Sequence, residues 1–166
     1  MRKVLIAAPL RQDPKIFREY QKGLDSLIIP DDVQVDRFFV VNDCWEVVPE
    51  IRDAEYVEVN HESIMLYRDH FWTKELVSDM SVYRNMTIRK ALEGGYDYLL
   101  SVDTDLVLEE HTLQQLLEDD KDCVAGLFWT NGWTNAWMYD QVSENNLPEW
   151  QKPGLYRVGG TGALFL

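Results

Sequence analysis

Two carboxylates stand two positions apart in Asp103-Thr104-Asp105, directly after the apolar run Tyr98, Leu99, Leu100, Ser101 and Val102. The run has the length of one buried strand. Paired acids at its end leave negative charge beside the core, which is costly unless it is partnered. A divalent cation resolves the conflict, because a hard metal takes carboxylate oxygens, keeps open positions and holds a phosphate between itself and the protein. A solvated loop that caps the next helix would carry the same three residues, so the flanking sequence has to separate the two readings.

Arg84 is the second residue whose position asks for chemistry. Lys74 to Glu93 reads as the longest helix of the chain, and Gly94-Gly95 closes it. Val77, Met80, Ile88 and Ala91 form an apolar stripe at helical spacing, and Arg84 lies within it. An arginine there either extends to solvent or meets an anion. The anion would be a core acid in a structural ion pair, or else a phosphate or the acidic cluster at a ligand-binding edge. The spacing predicts a largely buried Arg84 within hydrogen-bonding reach of a carboxylate or carbonyl near Asp103. Asn85 follows directly.

The elements that must position these residues read as a parallel α/β sheet. Val4 to Ala8 is a continuous apolar strand of the central type, ended by Pro9, with Leu10 to Asp13 as a loop. Asp13-Pro14 starts a helix that reaches Leu27, with Ile16, Phe17, Tyr20, Leu24 and Leu27 on one face and Pro30 beyond it. Val33 to Val41 is a second strand running into Asn42-Asp43-Cys44, and Tyr56 to Val59 a weaker third. Strand, helix and strand with short loops give a parallel sheet, whose ligands sit outside the carboxyl ends of the strands. Pro9 to Arg11, Asn42-Asp43 and Asp103 to Asp105 would all lie on that edge.

After the Asp103 strand, Glu109 to Glu118 reads as a short helix with Leu113, Leu116 and Leu117 inward, and Cys123 to Trp129 as another apolar strand. Residues 60–73 show no period and read as a loop. His61, His70 and His111 lack the paired spacing of a zinc site. Between Thr130 and Pro153, Trp133, Trp137, Tyr139 and Trp150 stand among polar residues, as a sugar-stacking surface or a flap over the sheet would. Ending inside the apolar run Ala163 to Leu166 predicts a chain cut short at its C-terminus.

Composition narrows the partners. The 166 residues carry 29 acidic against 16 basic side chains, a net charge of −13 with no basic block, which argues against nucleic acid or an anionic membrane. An anionic small ligand needs local arginines or a metal. With 46% hydrophobic residues the chain can build one real core. It has no run of about 18 apolar residues and no signal-peptide pattern, so a soluble cytoplasmic protein without a transmembrane segment is expected. Cys44 and Cys123 stand alone and read as ordinary buried thiols.

Four segments together resemble the family 2-like nucleotide-diphospho-sugar glycosyltransferases of the GT-A fold. DTDLVLEEHTLQQLLED is similar to that family's DxD motif and following helix. YRNMTIRKALEGGYDYLLSVD is similar to its Arg-Asn helix leading through glycine into the DxD strand. VLIAAPLR resembles its first strand and nucleotide-contacting loop, and FFVVNDCW its second strand with a base-contacting aspartate. The family commonly shows two acids where Asn42-Asp43 stands here. The resemblance covers residues 3 to 129, and the terminal GGTGALFL resembles a glycine-rich segment near the acceptor side.

The resemblance implies a Rossmann-like, mostly parallel sheet flanked by helices. It also implies a metal-dependent glycosyltransferase acting on a UDP- or GDP-linked sugar and a carbohydrate or other hydroxyl acceptor. Asp103 and Asp105 would hold Mn2+ or Mg2+, and Thr104 and Asn85 would belong to the nucleotide-sugar site. Asp43 would accept from the base, Pro9 and Arg11 would line the nucleotide, and Arg84 would support the phosphate or the DxD carboxylates. A general base for the acceptor is not evident among the late acids Asp140, Glu144 and Glu149. Two rivals remain: a sugar-nucleotide-binding module without catalysis, and a haloacid-dehalogenase-like phosphatase, whose nucleophile motif Asp103-Thr104-Asp105-Leu106-Val107 also matches.

Overall fold

The structure, a computed structural model, describes residues 1–60 and 74–127, together with the backbone of five short strands between residues 129 and 165. Four strands run parallel in the order β3-β2-β1-β4: β1 is Arg2–Leu10, β2 Val33–Asn42, β3 Glu55–Val59 and β4 Tyr98–Val102. The helices are α1 (Pro14–Asp25), α2 (Lys74–Glu93) and α3 (Thr112–Glu118). Of the remaining strands, β5 (Trp129–Thr130) pairs with β6 (Trp133–Thr134) and β7 (Ala136–Trp137) with β8 (Gly160–Thr161), both antiparallel. The last, β9 (Leu164–Phe165), joins the main sheet antiparallel to β4. The sheet is therefore mostly parallel and α/β, consistent with a Rossmann-like arrangement. No helix among the described residues is long and apolar enough to cross a membrane.

Two cores follow from the two faces of β1. Val4, Ile6, Ala8 and Leu10 meet Phe17, Tyr20 and Leu24 of α1 and Leu113, Leu116 and Leu117 of α3. Leu5 and Ala7 meet Tyr83 and Ala91 of α2. A strand covered on both faces has no polar positions, which is why VLIAA reads as unbroken apolar sequence. Pro9 does not end the strand, as the sequence predicts; β1 runs on through Leu10, with Pro9 opposite Val40. Pairing with β4 has already stopped at Ala7 and Ser101, which leaves one side of Pro9 without a ladder to break.

Helix α1 begins as expected, with the Asp13 carboxylate accepting from the Lys15 amide at 2.7 Å and Pro14 in the first turn. It ends at Asp25 rather than Leu27, and Ile16 is exposed rather than on the packed face. Helix α2 is terminated by Gly95 at φ +64. The Tyr96 amide donates to the Ala91 carbonyl at 3.0 Å and the Gly95 amide to Leu92 at 3.2 Å, a Schellman closure that only glycine enters without strain. Directly after it, the Asp97 amide donates to Lys3 O at 2.8 Å and the Lys3 amide to Asp97 Oδ2 at 2.7 Å. These two bonds set the register of β4 against β1.

Three further expectations are corrected. The packed face of α2 is Tyr83, Thr87 and Ala91, with Met80 and Met86 partly buried; Val77 and Ile88 are 50% and 44% exposed. The helix is rotated from the stripe its apolar letters draw, because Tyr83 and Thr87 are amphipathic and bury as readily as the valine. Cys123 to Leu127 is irregular, with a strand only at Trp129–Thr130, and Cys123 is exposed, whereas Cys44 is buried. A short apolar run does not by itself specify a strand. A 3-10 helix, Trp45–Glu50, fills the β2–β3 connection. Residues 61–73, with His61 and His70, lie outside the described residues, as do Asp140, Glu144, Glu149 and the side chains of the late tryptophans.

Candidate functional site

The carboxyl ends of β1, β2 and β4 lie side by side, since all three strands are neighbours and parallel. Pro9 and Arg11, Asp43, and Asp103 therefore emerge along one edge of the sheet. At the end of β4 the Leu106 amide donates to the Asp103 carbonyl at 3.1 Å, so Asp103 to Leu106 is a tight turn with aspartate in its first position, a place aspartate favours. Thr104 is buried within that turn, Asp103 is half-buried and Asp105 is exposed.

The segment after the turn rests on α1. Gly23 lies so close to the segment after the turn that a Cβ there would stand 2.9 Å from the Leu108 amide nitrogen and 3.2 Å from Val107 Cγ1. Two residues further along, the Ile28 amide donates to the Glu110 carbonyl at 2.8 Å. Glycine at position 23 thus permits the segment that follows the Asp103 turn to pack directly on helix α1.

Arg84 reaches the turn from the opposite face. Its Nη2 donates to Asp103 Oδ1 at 2.8 Å, and its Nη1 donates to Ser101 Oγ at 3.1 Å. The guanidinium spans the last residues of β4 with both terminal nitrogens and leaves Asp103 Oδ2 out of the contact. Arg84 is less buried than its stripe predicts, with a side chain 31% exposed, because the rotation of α2 brings it to the margin of the packed face. Burial still pushes the Asp103 carboxyl up; the Arg84 charge and hydrogen bond oppose this, and Asp105 adds to it. Asn85, the next residue of α2, is exposed, with no bond to the turn among the described residues.

A second group of charges gathers between the ends of β1 and β2 and the N-terminal half of α2. Burial holds the Arg11 guanidinium below its ordinary range, and Asp43, Cys44 and Tyr83 draw it back. The Tyr83 phenol is pushed up by burial and then by Asp79 and Asp43, with Arg11 opposing. Asp43 itself is held in the left-handed region at φ 48, its amide donating to the Val59 carbonyl at 3.4 Å. The two loops are joined where the buried Cys44 thiol donates to the Gln12 carbonyl at 3.0 Å. Tyr83, Asp79, Ser101 and Cys44 are the members that sequence reading passed over. Tyr83 could have been found from its spacing to Thr87 and Ala91, and Ser101 as the one hydroxyl in an apolar strand.

Among the described residues no three His, Cys, Asp or Glu side chains come together as a metal cage. At the end of β4 the protein's own hard donors are two carboxylates, Asp103 and Asp105. Hard oxygen donors in that number suit Mg2+ or Mn2+, which keep water and complete their shell from phosphate oxygens, and do not suit a structural zinc. Arg11 and Arg84 place two guanidinium groups at this edge of a chain of net charge −13, Arg84 in an ion pair with Asp103. The cavity of about 250 Å³ lined by Ile6, Leu24, Val35 and Arg37 is on the α1 face, well back from this edge, and belongs to the packing of α1 on the sheet. No protein-family model matches the chain, and no curated protein matches it.

Proposed function

We propose that this chain binds a nucleotide-diphosphate sugar, UDP- or GDP-linked, at the carboxyl edge of its sheet, and that it serves a metal-dependent glycosyltransferase of GT-A type. One observation carries the reading: Asp103 and Asp105 end the parallel strand next to β1, in line with Arg11 and Asp43, at the edge where open α/β sheets hold their ligands. Asp103 and Asp105 would hold Mn2+ or Mg2+ together with the diphosphate. Such a cation supplies Lewis acidity that stabilises charge on the departing diphosphate. Arg84 fixes Asp103 in place. Asp43, held by its backbone at the end of β2, is positioned to accept from a base N–H. Pro9, Arg11, Thr104 and Asn85 complete the proposed surface, and the acceptor would be a carbohydrate or other hydroxyl.

The test is a melting-temperature screen of UDP, GDP and their sugar conjugates with and without Mn2+, followed by an assay for sugar transfer or nucleotide release. A ligand that binds only the folded chain raises the melting temperature, by the logarithm of its concentration over its dissociation constant. A shift with one nucleotide diphosphate in Mn2+ supports the reading. A shift without transfer to any acceptor leaves the binding module. Hydrolysis of a simple phosphate ester, with no nucleotide-dependent shift, supports the phosphatase instead.

A further inference from the structure

Arg37 stands at a core-facing position of β2. It lies opposite Ile6 of β1 and between Val35 and Phe39, which share the α1 face of the sheet. Its side chain is 15% exposed. A guanidinium there loses solvation unless its donors are met. Among the described residues it makes one bond, Nη1 donating to Asp25 Oδ1 at 2.7 Å, and its other N–H groups have no partner. Tyr20, one turn before Leu24 on α1, adds a sealed hydroxyl that also has no partner among the described residues. Burial pushes the Tyr20 phenol up and the Arg37 charge opposes this, so the two groups lie within electrostatic reach. Unspent donors therefore gather in this part of the core.

Beside Arg37, the packing of α1 on the sheet leaves the cavity of about 250 Å³. Its walls are aliphatic, with Leu24, Leu27, Ile29 and Val35 among them, and the exposed carboxylates Asp25 and Asp53 also line it. At about 30 Å³ for each water-sized group, the space takes roughly eight non-hydrogen atoms. Charge decides their class. Arg37 and Arg52, the latter 3.8 Å from Asp25, balance Asp25 and Asp53. An anion would add to two carboxylates already present, and a cation would meet Arg37. A neutral molecule with an acceptor oxygen meets neither obstacle and satisfies a buried donor. We infer that this cavity is a binding site for a small neutral aliphatic molecule. Its carbonyl or hydroxyl oxygen accepts from Arg37, and its chain lies along Leu24, Leu27, Ile29 and Val35. The site is independent of the nucleotide-sugar reading.

The experiment titrates the whole chain with hexanamide, hexanoate and hexylammonium, three probes of one length and different charge, and follows the methyl NMR signals of Leu24, Leu27, Ile29 and Val35. Hexanamide shifts these signals together and to saturation, and the two charged probes bind roughly tenfold or more weakly. Arg37→Met keeps the stem, removes the donors and weakens hexanamide binding by roughly tenfold. Ile29→Trp fills the cavity from an exposed position outside the core, so it abolishes the saturable shifts and decides the matter if Arg37→Met does not fold. Shifts that do not saturate, an equal response to all three probes, or undiminished binding by Ile29→Trp would overturn the inference.

Discussion

Gly23 of α1 lies against the backbone of Leu108, with room for a hydrogen and none for a methyl group: a Cβ would stand 2.9 Å from the Leu108 amide nitrogen. Leu108 is five residues beyond Asp103, so the contact anchors on α1 the segment into which the Asp103 turn leads. The obstructing atom is backbone and cannot swing aside. Gly23→Ala gains helix propensity of about 1 kcal/mol, while overpacking costs about 1–3 kcal/mol. The overlap wins. The variant should melt below wild type and bind nucleotide diphosphate more weakly, as read by calorimetry and titration. A variant that melts higher with unchanged affinity would show that the turn does not depend on this seat.

Tyr96 follows the glycine closure of α2, and its hydroxyl donates to Asp36 Oδ2 of β2 at 3.0 Å. Burial, the Asp36 bond and the negative charges of Asp36 and Glu55 push the phenol up to about 12 from its ordinary 10. The folded chain keeps this proton at a pH where the unfolded chain has lost it. The contribution to stability is therefore full below pH 10 and is lost as pH rises through about 12. Tyr96→Phe should lose about 1 kcal/mol at neutral pH and should show a shallower fall in melting temperature above pH 10. Parallel alkaline profiles for the two proteins would contradict this.

How far the letters alone reach is visible at particular residues. β1 and the Phe38–Val41 end of β2 are legible because strand positions covered on both faces are apolar, and the acids that follow β2 and β4 then mark the edge. The Arg84–Asp103 contact is foreseen for a partly mistaken reason. Val77 and Ile88 draw a stripe through Arg84, yet they are half exposed, and the buried positions are Tyr83, Thr87 and Ala91. Pattern reading weighs side chains by polarity, whereas packing on the sheet weighs shape and the chance to satisfy a hydroxyl, as the Thr87 hydroxyl does by donating to the Arg84 carbonyl at 2.8 Å. The Trp45–Glu50 turn escapes because six residues with an internal proline carry no period. The approach of Tyr83 to the Arg11 and Asp43 edge escapes because Tyr83 is 40 residues from Asp43, and only the packing of α2 on the sheet brings it there.

Tyr20 supplies a test of the core beneath the site. It stacks on Phe17 with ring centres 5.8 Å apart and meets Phe39 edge-on at 6.1 Å, 1% exposed. Its hydroxyl has no hydrogen-bond partner among the described residues. A buried donor without a partner costs about 1–3 kcal/mol. Tyr20→Phe keeps the ring and removes that cost, so denaturant unfolding should show equal or greater stability, by up to about 1 kcal/mol. A loss above about 1 kcal/mol would mean that the hydroxyl is bonded in solution.

Asp103 and Asp105 are proposed to bind a nucleotide diphosphate through a divalent cation. Isothermal titration of UDP and GDP into wild type, Asp103→Asn and Asp105→Asn, each in Mn2+ and again in EDTA, tests it most directly. Asparagine preserves shape and keeps one acceptor oxygen for the Arg84 donor at position 103, while it removes the carboxylate charge. Wild type should bind one of the two nucleotides in Mn2+ and lose roughly tenfold or more in EDTA, and each variant should bind as weakly in Mn2+ as wild type does in EDTA. Equal wild-type affinity with and without metal, or asparagine variants that bind as wild type does in Mn2+, would contradict it.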